Sequence, residues 1–353
     1  MRIAYGVHGY GRGHASRALA VLPELTVRHE VLILAGGDAY AALRNDYAPV
    51  RIPTLRYSHY PGGRLSKHRT IKRNLPAVLG FALGGPDVEM IGEAIEEFAP
   101  DIVVSDSEPW THQAAERLQI PRISFDRYGA LAYCRWPMRR RDRLAAAAEA
   151  LAYQWLMGRP QRVIVASFYD APPRRPNVRV VGPVLRPAVR RQTPEQGDYL
   201  LVYFANGEMH FTPRVAEALQ ATGVPVRAYG IGRSGREGNI EFRPPGNEAF
   251  VQDLAGSRAV FSTAGNQLIS ECLYFRKPVL VMPEDSLEQR LNAAAVERMN
   301  IGQSTTRDKI SREQLDSFLA AEQQYRNAMP EEVRDGRAEA VGAIEQFAKE
   351  LIK

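Results

Sequence analysis

His14 stands at the start of a helical pattern, directly after a loop that carries Gly9, Gly11 and Gly13. Those glycines let the backbone turn tightly and come close to a ligand. A helix N-terminus disfavours an imidazolium, so a histidine placed there is a good general base near pH 7. Such a base needs a partner that fixes its tautomer. The apolar run Ile102-Val103-Val104-Ser105 ends in Asp106. A carboxylate on one ring nitrogen would orient His14 and stabilise the imidazolium that forms. Two plainer readings stay open: His14 caps its own helix, and Asp106 caps the next one. His8 is the alternative base, and Glu108 is the reserve for Asp106.

A second constellation lies in the other half of the chain. Ser262, Thr263, Ala264, Gly265 and Asn266 close an apolar run and open a helix. Small residues there expose backbone N–H groups, a geometry that binds phosphate without a metal. Glu271 follows within two turns, where its carboxylate can accept ribose hydroxyls. Glu288 and Gln289 open a further helix and are placed to read sugar hydroxyls. The competing dinucleotide fingerprint G-x-G-x-x-G fails in the N-terminal loop. Counted from Gly9 its last position is His14, and counted from Gly11 it is Ser16. A nicotinamide or flavin cofactor is therefore not expected. No Asp-x-Asp pair is present, so no metal is expected either.

Alternating strands and helices must position these groups. In the first half, strands are predicted at Arg2–Val7, Glu30–Ala35, Asp101–Ser105, Arg122–Phe125 and Arg162–Ala166. In the second half they are predicted at Tyr199–Phe204, Val226–Gly230, Ile240–Arg243, Ala259–Ser262 and Val279–Met282. Helical patterns lie between them. The strands are apolar on both faces, as in parallel sheets covered by helices on each side. The alternation predicts an α/β fold of two doubly wound, Rossmann-like domains facing each other across a cleft, with function in the loops after strands. A Pro-rich stretch from Ala171 to Gln192 marks the boundary. The expected division is 1–182, 183–330 and a final helix in 331–353 that crosses back to the first domain.

Composition narrows the partners. The chain has 353 residues, 46 Lys+Arg against 40 Asp+Glu, and 45% hydrophobic residues. These are globular values and exclude a disordered chain. Cys134 and Cys272 are too few for a disulfide framework, and they fit a cytoplasmic setting. No leader pattern and no bilayer-spanning apolar run is apparent. The basic excess concentrates in Lys67–Arg73 and Arg135–Arg143. Charge runs are usually solvated, but these segments also suit an anionic membrane surface or a phosphorylated ligand. No nucleic-acid-binding signature accompanies them.

The run TAGNQLISECLYFRKPVLVMPEDSLEQRLNA resembles the donor-binding region of GT-B glycosyltransferases. It is similar in particular to the peptidoglycan lipid-linked N-acetylglucosaminyltransferases of family 28 and to family 1 relatives. GYGRGHASR resembles the Gly-rich loop and histidine of the same enzymes, and PDIVVSDSEPWTHQAAERLQIPRISFD resembles a bacterial and archaeal subgroup. The resemblance implies His14 as catalytic base with Asp106 as its partner, and Gly11, Arg12 and Gly13 as an acceptor-facing loop. It implies Ser262 to Asn266 around the donor diphosphate, Glu271 on the ribose, and Glu288 with Gln289 on the sugar. Asn206 and Gly207 would face the diphosphate, and Phe250 would lie near the nucleobase. The stretch after the first strand of the second domain keeps only one glycine, Gly207, and Glu288 stands where those enzymes favour Gln.

Together these features imply an inverting, metal-independent transferase that moves a sugar from a nucleotide-sugar, a UDP-sugar foremost, to a hydroxyl. The acceptor would be a lipid or a small molecule. The setting would be cytoplasmic, or peripheral on the inner face of the membrane. A nucleotide-sugar 2-epimerase shares the two-domain plan and is the alternative enzyme. A non-catalytic nucleotide-sugar-binding module is the alternative outside catalysis.

Overall fold

The computed structural model describes residues 1–58, 66–138, 140–204, 207–244 and 246–352. They divide into two compact units, one made of Met1–Ser58, Ser66–Arg186 and Arg334–Lys353, the other containing Pro187–Val333.

The first unit opens with β1 (Arg2–Val7), α1 (Arg12–Arg28), β2 (Glu30–Gly36), α2 (Gly37–Leu43) and β3 (Val50–Ile52). It continues with α3 (Lys67–Leu83), α4 (Pro86–Phe98), β4 (Ile102–Asp106), α5 (Pro109–Arg117) and β5 (Arg122–Asp126). Then come α6 (Gly129–Tyr133), α7 (Arg143–Met157), β6 (Arg162–Ala166) and β7 (Val178–Val181). The seven strands form one parallel sheet in the order β3-β2-β1-β4-β5-β6-β7. Side chains alternate across it with period two. Ile3, Tyr5 and Val7 pack with Leu22 and Leu25 of α1 on one face. Ala4, Leu34 and Val103 pack with Ile91, Ile95 and Trp110 on the other. Both faces are dry, which is why β4 and β5 are buried at every position.

The second unit holds α8 (Pro187–Arg190), β8 (Leu200–Tyr203), α9 (Gly207–His210), α10 (Pro213–Thr222), β9 (Val226–Tyr229) and β10 (Gly235–Glu237). β11 (Ile240–Arg243), α11 (Asn247–Ala255), β12 (Ala259–Ser262), α12 (Asn266–Tyr274) and β13 (Val279–Val281) follow. It ends with α13 (Leu287–Arg298), β14 (Gly302–Ser304), α14 (Arg312–Ala320) and α15 (Glu322–Ala328). Its sheet runs β10-β11-β9-β8-β12-β13-β14, parallel except for β10 against β11. The doubly wound α/β plan expected from the alternating pattern is thus present in both units.

In each sheet the chain winds to one side and then crosses to the other. The strands flanking that reversal are β1 and β4 in the first unit, and β8 and β12 in the second. Loops diverge at such a point and leave room for a ligand at the carboxyl ends of the strands. Val7 pairs with Asp106, and Tyr203 with Ser262.

Several elements differ from expectation. The final helix, α16, spans Gly336–Leu351, a shorter element than the expected 331–353. Asp335 starts it by accepting from the N–H groups of Arg337 and Ala338. Gly336 passes so close to Gly182 that an added Cβ would lie 2.0 Å from the Gly182 carbonyl oxygen. The helix buries Ala340, Ile344 and Phe347 in the core of the first unit, each large side chain contributing about 2 kcal/mol. Residues 67–83 form one helix, where the sequence suggests only a basic run and an apolar run. Pro76 and Gly80 inside it, and the lack of an acidic first turn, hide its helical signal. The three-residue strands β3, β10 and β14 carry too short a pattern to be read.

Candidate active site

In the first unit the loop after β1 and the end of β4 meet. The backbone N–H of His8 donates to the Asp106 carbonyl (3.1 Å), continuing the β1–β4 ladder by one residue. Asp38 then clamps the loop: its N–H donates to Gly9 O (2.8 Å) and its carboxylate accepts from Gly11 N (3.0 Å). Gly11 is the N-cap of α1, at φ 83°, and brings no side chain to the helix end. His14 therefore lies inside the first turn and is not the cap.

His14 Nδ1 lies 2.7 Å from Asp106 Oδ1. Arg17, one turn further along α1, grips the same carboxylate with both arms of its guanidinium. Nε donates to Oδ2 at 2.7 Å, and Nη2 donates to Oδ1. Arg17 and Asp106 are both buried, while His14 keeps 23% of its side chain exposed. Burial alone would raise the Asp106 carboxyl, but Arg17 and then His14 outweigh it and hold the group below the usual range. An ionised carboxylate only accepts, so the His14 ring proton belongs on Nδ1, pointing at Asp106. In the neutral ring Nε2 then carries the lone pair.

The alternatives to these residues have other work. Glu108 caps α5, accepting from Trp110 N (3.0 Å) and Thr111 N (2.7 Å). Burial pushes its carboxyl up to about 7. Asp106 is thus not the cap of that helix. The ring of His8 stands edge-on to His14 with centroids 5.2 Å apart. Burial, then the neighbouring His14, lowers His8 to about 3, so it stays neutral. Gly13 has open space where a Cβ would stand. Arg12 is the first residue of α1, and its side chain lies outside the described residues.

In the second unit, Ser262 ends β12 and residues 263–265 form the turn into α12. Gly265 is its N-cap, and no side chain caps the helix. The turn is tied down from α13. Gln289 Oε1 accepts from both Ala264 N (3.1 Å) and Glu284 N (2.9 Å). Two donors fix that oxygen's identity, so Nε2 is the atom left for a further partner. Asn292 Nδ2 donates to Ala264 O (2.9 Å). Ser262 Oγ turns back on Thr263 O (2.7 Å).

Other residues expected at a donor site are less open. Glu271 is buried and accepts from Gln267 Nε2 (3.1 Å). Phe250 is packed between the rings of Tyr203 and Tyr229, each centroid 5.2 Å away. Glu288 sits in the first turn of α13, whose cap is Ser286. Gly207 opens α9 and donates its N–H to Gly230 O (3.0 Å). Asn206 lies outside the described residues.

Three features escaped the sequence reading. Arg17 was signalled only by its spacing of three residues from His14, which places both on one helix face. Asp38 gave no signal, because its role is to bond a loop 27 residues away. The third is a buried imidazole, His210, whose Nε2 lies 2.9 Å from Glu284 Oε1 and whose Nδ1 lies 3.0 Å from Arg307 Nη2. It joins the loops after β8, β13 and β14.

Comparison with known proteins agrees with this plan. The family model of glycosyl transferase family 1 matches residues 1–322. No curated protein matches the sequence. Solved GT-B glycosyltransferases share the fold over the full length. One is MurG of Acinetobacter baumannii, 16% identical, with a TM-score of 0.57 over 99% of this chain and 98% of that one. A second is UGT89C1 of Arabidopsis thaliana in complex with quercetin, 16% identical, with a TM-score of 0.68 over 100% and 99%. A third is the glycosyltransferase VinC in complex with dTDP, 15% identical, with a TM-score of 0.60 over 99% and 100%.

Proposed function

The chain belongs to glycosyl transferase family 1, and from that premise we propose an inverting, metal-independent transfer of a sugar from a nucleotide-sugar to an acceptor hydroxyl. The observation that carries the proposal is the His14–Asp106–Arg17 chain of contacts. His14 Nε2 takes the proton from the acceptor hydroxyl as its oxygen attacks the anomeric carbon. The bond to the donor's diphosphate breaks on the opposite side, so the configuration inverts. Asp106, kept ionised by Arg17, stabilises the imidazolium. The uncapped N–H groups at the start of α12 receive the charge that develops on the departing diphosphate. Gln289 Nε2, left over by the two bonds to its Oε1, would bond a sugar hydroxyl or a phosphate oxygen. UDP is the first donor nucleotide to test, with dTDP beside it, since VinC is solved with dTDP.

The reaction is tested with UDP- and dTDP-sugars against prenyl-linked glycosides, which carry free hydroxyls, and plant phenols. An inverted anomeric proton coupling in the product, unaltered by EDTA, is the expected result. A retained configuration overturns the mechanism. Sugar isomerisation without acceptor points instead to an epimerase. Tight UDP binding with no turnover of any pair points to a binding module.

For a lipid acceptor, α3 offers the support. Ile71, Leu75, Leu79 and Leu83 recur at every fourth position and are all exposed. Lys72 and Arg73 stand beside them, and the helix has no acidic residue. That pattern suits a surface of anionic lipid. Trp136, in the other basic segment, is spent inside the unit: its Nε1 donates to Ala130 O (2.9 Å), and its ring packs on Tyr169. Sedimentation with phosphatidylglycerol vesicles should be strong at low salt and lost for Leu79→Glu. No helix among the described residues is long and apolar enough to cross a membrane.

A further inference from the structure

The reaction scheme leaves one cavity of the first unit unused. It is open, has a volume of about 350 Å³, and lies at the end of β3 between α2 and the first turn of α4. That volume suits a small ligand or one group of a larger one. Ile52 and Met90 supply apolar wall, and Arg51 and Arg56 supply charge. Neither guanidinium has a carboxylate partner among the described residues. Asp87 also lines the cavity, so the balance of the three charges is one positive.

Both arginines are exposed; Arg51 leans on a ring, and Arg56 is anchored through its backbone. The Arg51 guanidinium carbon lies 5.6 Å from the Tyr40 ring centroid. The backbone of Arg56 is pinned on both sides by Asn74 of α3, through Arg56 N (3.1 Å) and Arg56 O (2.9 Å). Its Nη2 passes over Gly37, 3.3 Å from where a Cβ would stand.

The cavity is joined to the loop that carries the base. A Cβ on Gly37 would fall 2.4 Å from Gly9 O, and the Asp38 clamp on Gly9 and Gly11 starts from the same turn. Thr54 Oγ, on the cavity floor, is wedged 2.3 Å from the position of a Gly9 Cβ. A ligand seated here abuts the segment that leads into His14. Two guanidinium forks facing an open cavity match the planar or tetrahedral oxygens of an anion better than a neutral hydroxyl compound.

We propose that this cavity is an acceptor subsite for an anionic group, a carboxylate or a phosphate monoester, held by Arg51 and Arg56. The inference rests on reading the first unit as the acceptor side, and it narrows the acceptor to molecules that carry an acid beside the hydroxyl.

The test is arginine footprinting of the full chain with phenylglyoxal, read residue by residue by mass spectrometry. UDP is kept saturating so that the nucleotide site does not contribute. Phenyl phosphate, benzoate and benzyl alcohol are compared at equal ionic strength. Modification of Arg51 and Arg56 should slow at least fivefold with one of the two anions, and which anion does so separates phosphate from carboxylate. Benzyl alcohol should have no effect, nor should the anions protect Arg44 on the far end of α2. Equal protection of Arg44, equal protection by benzyl alcohol, or none by either anion overturns the proposal. Calorimetric binding of the protecting anion should weaken tenfold in R56Q. The readout is binding, so a His14→Ala protein must show the same protection whether or not His14 is the base.

Discussion

The two regions proposed to face ligands are built on opposite plans. At the end of β1 and β4 the working atoms belong to side chains, and they are already bonded to each other in the free protein. At the end of β12 the working atoms are backbone N–H groups, and the side chains nearby are spent on holding the turn. The difference follows from the tasks. Moving a proton needs a titratable group with a fixed tautomer, so orientation must be set beforehand. Holding a diphosphate needs several donors spread over a few ångströms, which a helix start supplies without long side chains. The comparison teaches that damage should take a different form in each region: lost turnover in the first, lost affinity in the second.

The largest effect should come from His14→Ala. Turnover should fall about 10³-fold, the range of a general base, while UDP affinity, measured by calorimetry, stays within about twofold. A matched loss of UDP affinity would erase the contrast between the regions.

Arg17→Met comes next. Arg17 is the stronger of the two partners that hold Asp106 low. The depressed carboxyl contributes stability above its unfolded pKa of about 3.9, and that contribution is lost as pH falls further. Without Arg17 the upward push of burial prevails, so Asp106 takes up a proton at higher pH. The acid limb of kcat/KM should therefore move upward, and turnover should fall about 100-fold from misplacement of the ring. Denaturant unfolding should show a loss of about 3 kcal/mol, because a buried carboxylate loses its ion-pair partner. Arg17→Lys keeps the charge without the fork and should restore the pH limb better than the rate. An unmoved limb in Arg17→Met would mean that Arg17 is only structural.

The second region is probed through Gln289. In Gln289→Ala two backbone N–H groups lose their acceptor, at about 1–3 kcal/mol for each one left unpaired. UDP affinity should drop about tenfold as the turn loosens. Gln289→Glu keeps an acceptor for both N–H groups but brings a negative charge to the phosphate. It should melt near the wild-type temperature and still bind UDP poorly. If Gln289→Ala binds UDP normally, the turn does not depend on this side chain.

What the sequence displayed differs between the regions for a physical reason. Asp106 was legible because it terminates a clear apolar strand pattern, and His14 because it follows the Gly-rich loop after another such strand; doubly wound sheets bring the loops at those ends together. Arg17 was missed because a helix-face arginine usually meets water, and only the fold buries it against Asp106. In the second unit the turn into α12 was legible as a run of small residues. The bonds from Gln289 and Asn292 were not, since a polar residue in a first turn looks the same whether it faces a ligand or a backbone amide. Phe250, placed near a nucleobase by the family resemblance, is packed between two tyrosines, a setting that its position in the sequence does not display. Helix α3 was hidden by its own Pro76 and Gly80.

The smallest effect concerns the second imidazole of the first region. His8 touches the ring of His14, yet burial holds it near 3, far from physiological pH. Because His8 stays neutral at physiological pH, His8→Phe should leave both limbs of the kcat/KM profile where they are, with a rate change of a fewfold. Stability should respond instead. An unfolded His8 takes up a proton below about 6.5, whereas the folded one does not until about 3. Between those values the unfolded state binds more protons, so each unit of falling pH removes up to about 1.4 kcal/mol of stability. His8→Phe removes that contribution, and its melting temperature should fall less steeply than wild type from pH 6.5 to 4.5. His112, lowered by burial and then by Arg122, remains in the variant and keeps part of the slope. A kcat/KM limb that shifts in His8→Phe would show that the two imidazoles share a proton. The first region would then work as a coupled pair and not through a single base.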